Sequence, residues 1–181
     1  MVELADLECG GMTLAKLIYI QTISSPVFDK YGHILNYKAI KPTSINQESC
    51  LKYGFDFDLC ISDADDQYRS KVYIGDKHEH PITIETMEKH PLGFQLFYPL
   101  TDNPFIVVVA PGHEEPDEES IEAFLVPTGV GVVIRCDTWH HSLLSLYDKS
   151  RYFVIENDVP LNCQSVPLKY IHEVVQFDIT S

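Results

Sequence analysis

The chain is 181 residues long, 45% of them apolar and 22% charged, proportions that give one folded domain enough material for a core and exclude intrinsic disorder. Its 27 acids against 13 lysines and arginines leave a formal charge of −14, and the arginines are Arg69, Arg135 and Arg151 alone, so the basic face that nucleic acid requires is missing. No apolar run approaches the roughly 18 residues of a membrane span, and the acidic start "MVELADLECGG" lacks the positive charge of a secretory signal, so a cytoplasmic protein with no membrane partner is expected.

Five cysteines (Cys9, Cys50, Cys60, Cys136 and Cys163) are odd in number and form no CxxC pair. That points to free structural thiols and away from a disulfide framework or a thiolate zinc site.

The first predicted element is a short helix at "SSPVFDKYG", with Ser24 or Ser25 as cap, Pro26 in the first turn and Gly32 as terminator. The polar stretch "SDADDQYRS" from Ser62 to Ser70 offers almost nothing apolar to bury and reads as a turn or mobile loop. Beyond residue 82 short apolar and alternating runs follow closely: "GFQLFYPL", "PFIVVVAP", "GVGVVIRC", "HSLLSLY" and "RYFVIEN", separated by Pro, Gly, Asp and Asn. This is the pattern of a β-barrel or β-sandwich. One segment interrupts it, "EPDEESIEAFLV", where Asp117 caps a short surface helix whose first-turn acids suit the helix dipole.

Chemistry concentrates at "ETMEKHPLGFQ". Residues two apart share a face of a strand, so Glu88 and His90 project together, and a short connection brings Gln95 back beside them. Some forty-five residues later stands "DTWHHS". Adjacent residues face opposite sides of a strand, so one of His140 and His141 points inward.

The two stretches resemble the paired motifs of the cupins, G-x5-H-x-H-x3,4-E-x6-G and G-x5-P-x-G-x2-H-x3-N. On that pattern Glu88 and His90 stand at the two His positions, Gln95 at the Glu and His140 at the final His, all metal-ligand positions. The departures are Arg135 for Pro, Asp137 for Gly, Asp102 for Gly and Leu144 for Asn. A narrower resemblance is to the ureidoglycolate lyases, carried by "PITIETMEKHPLGFQLFYPL", "PFIVVVA", "PDEESIEAF", "GVVIRCDTWHHSLLSL" and "FVIEN", and clear from residue 80 to 168.

The resemblance implies a mainly β chain, a cupin double-stranded β-helix (jelly-roll barrel) with a few short helices. The whole of 1–181 is expected as a single cupin domain, with 80–168 as core and strands and a helix of 1–79 extending it. The implied activity is cleavage of ureidoglycolate into glyoxylate and urea, by a homodimer, with a divalent metal held by Glu88, His90, Gln95 and His140. Nickel, zinc, manganese and iron suit these ligands about equally. Gln95, as a neutral amide, also suits a hydrogen bond to substrate.

His141 reads first as a structural or interface histidine and second as the proton carrier. Trp139 reads as packing. The family's usual Arg on the strand before "P-x-T-I" has no counterpart in "SKVYIGDKHEH". A negatively charged protein needs something to hold a carboxylate substrate, and the expectation is the metal, with Lys52 as a substrate contact and Lys89 as an auxiliary catalytic cation. The missing Arg keeps two alternatives open: a cupin enzyme acting on another small hydroxy acid or sugar derivative, and a non-catalytic ligand-binding cupin.

Overall fold

A computed structural model describes residues 15–57 and 67–175. In chain order its elements are β1 (Lys16–Thr22), α1 (Ser25–Phe28), β2 (Gly32–Leu35), β3 (Thr43–Ile45), β4 (Cys50–Lys52), β5 (Tyr68–Gly75), β6 (Ile82–Lys89), β7 (Gln95–Pro99) and β8 (Phe105–Ala110). There follow β9 (Glu122–Val126), β10 (Gly131–Ile134), β11 (Trp139–His140), β12 (Leu144–Ser145), β13 (Ser150–Asn157) and β14 (Gln164–Val175).

The chain is mainly β and forms a closed barrel with few short helices, a cupin-like fold. The larger sheet runs β11-β6-β14-β1-β9-β8-β12, and because the short β11 pairs with both β6 and β8 it closes on itself. The second sheet runs β2-β10-β7-β13-β5, and β3 and β4 form a separate hairpin. Residues well before 80 are built into these sheets: β1 lies parallel between β14 and β9, β2 pairs with β10, and β5 pairs along its length with β13.

Strand alternation sorts the apolar side chains into two cores. Ile18, Ile84, Ile106, Val108, Ala110, Ala123, Trp139 and Val174 form one cluster contributed by strands all around the closed sheet, and so fill its interior. Phe105, Val107, Val109 and Phe124 face the other way and pack with Phe97, Val132, Ile134, Tyr152 and Val154 of the second sheet. β8 is therefore buried on both faces along its whole length, the reason "FIVVVA" is continuously apolar rather than alternating. Each fully buried Ile or Phe contributes roughly 1.5–3 kcal/mol.

The early helix forms, one turn long, with Ser24 as N-cap residue and Pro26 in the first turn. Its Phe28 and the following Tyr31 wedge against Phe124, with ring centroids 5.6 and 6.4 Å away. Gly32 does not terminate it; Gly32 opens β2, where a Cβ would lie 1.8 Å from the Val133 carbonyl oxygen. Glycine is required there by the close approach of two strands.

Of the expected loop from Ser62 to Ser70, residues 62–66 lie outside the described residues. Tyr68, Arg69 and Ser70 are strand, not loop, paired with Asn157, Glu156 and Ile155. Tyr68 also stacks on Phe94 at 4.7 Å, a long-range contact that outweighs the local polarity. Asp117 does cap a helical turn, a 3-10 turn over Glu118–Ser120, by accepting a hydrogen bond from the Glu119 N–H.

Candidate functional site

Between the two sheets lies a cleft of about 650 Å³ lined by β5, β6, β7 and β13, with Ser142, Leu143 and Cys163 at its sides. Glu88 and His90 come from the end of β6 and just beyond it. Gln95 is the first residue of β7, returned by a short connection. His140 stands directly opposite Glu88 on the antiparallel β11–β6 pair. One ligand atom each from Glu88, His90 and His140 lies within 4.8 Å of the others, short enough for small side-chain adjustments to bring all three to the roughly 2 Å of a metal bond.

Both imidazoles are oriented from behind. His90 Nδ1–H donates to the Asn162 carbonyl at 2.9 Å, and His140 Nδ1–H to the Thr138 carbonyl at 2.8 Å. A carbonyl only accepts, so each ring presents its Nε2 lone pair to the centre, the arrangement typical of metal-ligating histidines. His140 Nε2 lies 3.8 Å from Glu88 Oε1 and 3.2 Å from Gln95 Oε1. His90 Nε2 is buried and has no hydrogen-bond partner. An orphaned imidazole lone pair beside a carboxylate and a second imidazole fits a divalent cation. Burial pushes His140 down to about 4, against the raising hydrogen bond to Thr138 and with help from His90 and His141, so the ring is neutral at neutral pH.

Asn162 holds its part of this frame through its own side chain, accepting from the Leu92 N–H at 2.8 Å and donating to the Asn157 carbonyl at 2.7 Å. On the far side, the Asp137 N–H donates to the His90 carbonyl at 3.0 Å. Asp137 has φ of 59°, the left-handed region that explains the Gly of the cupin pattern and that Asp tolerates better than most residues.

A carboxylate outside the cupin motif positions completes the cleft. Glu156, opposite Gln95 on the β7–β13 pair, accepts from Gln95 Nε2 at 2.6 Å, Lys71 Nζ at 2.6 Å and Tyr73 Oη at 3.0 Å. Burial opposes its charge, but hydrogen bonds from Lys71, Gln95 and Tyr73 outweigh that and hold it below the usual carboxylate range. Burial and the Glu156 charge push the Tyr73 hydroxyl up to about 12. Cys163 donates to Glu88 Oε2 at 3.6 Å, and burial followed by the Glu88 charge raises its thiol. The signal for Glu156 was present in "RYFVIEN", where it shares the inward face with Tyr152 and Val154. Asn162 carried no comparable signal.

The structure thus brings together Glu88, His90, Gln95 and His140. It does not bring Lys89 or Lys52 to them. Lys89 lies on the opposite face of β6 from Glu88, where its ammonium pairs with Asp137 at 2.6 Å, bonds the His113 carbonyl and covers the Trp139 ring at 4.9 Å. Lys52 is exposed on the β3–β4 hairpin and is not among the lining residues. Trp139 points into the barrel core and is 1% exposed. His141 is half-buried beside the cleft-lining Ser142, with its Nδ1–H on the Ser142 carbonyl at 2.9 Å. Burial, despite the raising hydrogen bond to Ser142, lowers its pKa, while the charge of nearby Glu88 raises it. Of the other histidines, His113 is exposed and His33, His78 and His80 are half-buried.

A sequence model of the family described as ureidoglycolate lyase matches residues 15–175. A Rhizobium meliloti (strain 1021) protein named ureidoglycolate lyase 2 is 35% identical over 140 residues, covering 76% of this chain and 83% of its own. A ureidoglycolate lyase of Azotobacter vinelandii is 30% identical over 141 residues, 78% and 85% of the two chains. One of Burkholderia mallei (strain NCTC 10229) is 29% identical over 155 residues, 84% and 91%.

Proposed function

The chain belongs to the ureidoglycolate lyase family, and from that premise we propose that it cleaves ureidoglycolate into glyoxylate and urea with a divalent cation held by Glu88, His90 and His140. The observation that carries the reading is the orphaned, buried His90 Nε2 facing a carboxylate and a second imidazole. When bound, the cation supplies Lewis acidity toward the hydroxyl and carboxylate oxygens of the substrate.

The side chains divide the remaining work. Gln95 Oε1 is turned to the same point and orients what binds there. His141, its Nδ1 engaged by Ser142, uses Nε2 to take the substrate's hydroxyl proton. The O–H electrons then form the aldehyde C=O, the C–N bond breaks with its pair on nitrogen, and Nε2 returns the proton to the departing urea. Phe97 and Leu143 give the cleft apolar walls that limit water. Lys71, whose ammonium bonds the cleft-lining Glu156, takes the auxiliary role toward the substrate carboxylate in place of Lys52 and Lys89.

We place the enzyme in the cytoplasm and expect a homodimer. The exposed Val72 and Ile74 on edge strand β5, 57% and 63% exposed, support association, which light scattering tests. The activity is tested by following urea and glyoxylate from ureidoglycolate with purified protein. Equal release of both, abolished by chelation and restored by added cation, is expected. Turnover of another hydroxy-acid derivative with none of ureidoglycolate supports the alternative cupin enzyme instead.

A further inference from the structure

A carboxamide has two ends of opposite hydrogen-bonding character, and Glu156 decides which end of Gln95 meets the ligand atoms. Gln95 and Glu156 are directly opposed across the β7–β13 ladder, and Gln95 Nε2 donates to Glu156 Oε2 at 2.6 Å. A carboxylate only accepts, so the NH2 end belongs to Glu156 and Oε1 faces His140 Nε2 at 3.2 Å. Glu156 is held in turn by Lys71 at 2.6 Å and by the Tyr73 hydroxyl at 3.0 and 3.1 Å from its two oxygens. Lys71 engages one oxygen and Gln95 the other, with the single Tyr73 O–H shared between them, which sets Glu156 apart from a ligand. With the amide reversed, its NH2 would donate to the His140 Nε2 lone pair and remove that atom from any cation.

We propose that Glu156 is a positioning residue of the cation centre: by holding the Gln95 NH2 it keeps Oε1, and not a competing donor, turned toward the space shared by Glu88, His90 and His140. The proposal rests on the reading that those residues hold a divalent cation. It concerns orientation, and Glu156 itself touches neither cation nor substrate.

The test is calorimetric titration of metal-free full-length protein with zinc and, separately, with nickel. Glu156→Gln offers an NH2 where there was an acceptor oxygen and frees the Gln95 amide to turn. Affinity for both ions should fall about tenfold or more, the range of outer-shell orienting groups. In a Gln95→Ala background there is no amide to turn, so adding Glu156→Gln should change affinity less than about twofold. Tyr73→Phe, which removes one holder of Glu156 with little change of shape, should weaken binding about threefold in the natural background and not with Gln95→Ala. This second variant decides the matter if Glu156→Gln does not fold.

An undiminished affinity in Glu156→Gln, or an equal loss with and without Gln95, overturns the proposal, the latter marking a merely structural role. Wild-type protein that binds the ions but releases no urea from ureidoglycolate overturns the reaction and leaves Glu156 in its role. Wild-type protein that binds neither ion overturns both.

Discussion

Glu88 and Lys89 are adjacent on β6, yet Glu88 lines the cleft while Lys89 is bonded to Asp137 on the opposite face. Strand alternation makes the separation obligatory. Lys89, through Asp137, ties β6 to the turn that leads into His140. Lys89→Met should therefore lower unfolding stability by about 1–2 kcal/mol while leaving kcat and KM for ureidoglycolate within about twofold. Denaturant unfolding beside steady-state kinetics checks this, and a large kcat loss in a stable variant would return Lys89 to a catalytic role.

His90 carries the unpartnered lone pair, so His90→Ala should reduce zinc or nickel affinity by about a hundredfold or more. Asn162→Ala removes the side chain that holds the loop whose carbonyl orients His90, and its effect should be smaller, about tenfold. Equilibrium dialysis with elemental analysis separates the two. Equal, undiminished metal content in both variants would move the cation elsewhere.

His141 is assigned proton transfer and no ligand bond. His141→Ala is expected to reduce kcat by roughly 10²–10⁴, the usual weight of a general base, with metal affinity unchanged within about threefold. Kinetics and titration on one preparation decide it, since loss of the ion with loss of rate would make His141 part of the ligand frame.

Lys71 and Lys52 are the cations to compare for the substrate carboxylate. Lys71→Met should raise KM about tenfold with a smaller change in kcat, close to the 1.4 kcal/mol of one charge-assisted contact. Lys52→Met, on an exposed hairpin, should change neither. The reverse order of effects would restore Lys52 as the substrate contact.

Away from the site, Glu122 accepts from the Tyr31 hydroxyl at 2.6 Å and pairs with Lys30. Burial works against its charge, but the hydrogen bonds from Lys30 and Tyr31 prevail and hold its pKa below the ordinary 4.5. A carboxyl depressed in the folded state stabilises it above the unfolded value, and that contribution is lost as pH falls through the folded one. Stability should drop as pH is taken below about 4.5, and Glu122→Gln should show a shallower slope there. Urea unfolding from pH 3 to 7 measures it, and parallel slopes would refute the link.

Local periodicity and spacing are legible in the residues alone. The unbroken apolar "FIVVVA", short and bounded by Pro104 and Pro111, reads as a strand. Glu88, His90 and Gln95 announce converging donors, because i, i+2 geometry and a short return are local rules, while His140 joins them through the resemblance to the second cupin motif. The remainder depends on register between strands distant in the chain. Gln95 meets Glu156 because β7 and β13 pair in one register, and that contact, not the identity of residue 95, turns its oxygen toward His140. Tyr68–Ser70 became strand because β13 supplied a partner, against a composition that spelled loop. His90 turns its Nε2 away from Asn162 because a loop some seventy residues later offers its Nδ1–H a carbonyl. A local pattern specifies which face a side chain takes, but only cross-chain partners specify what it meets there.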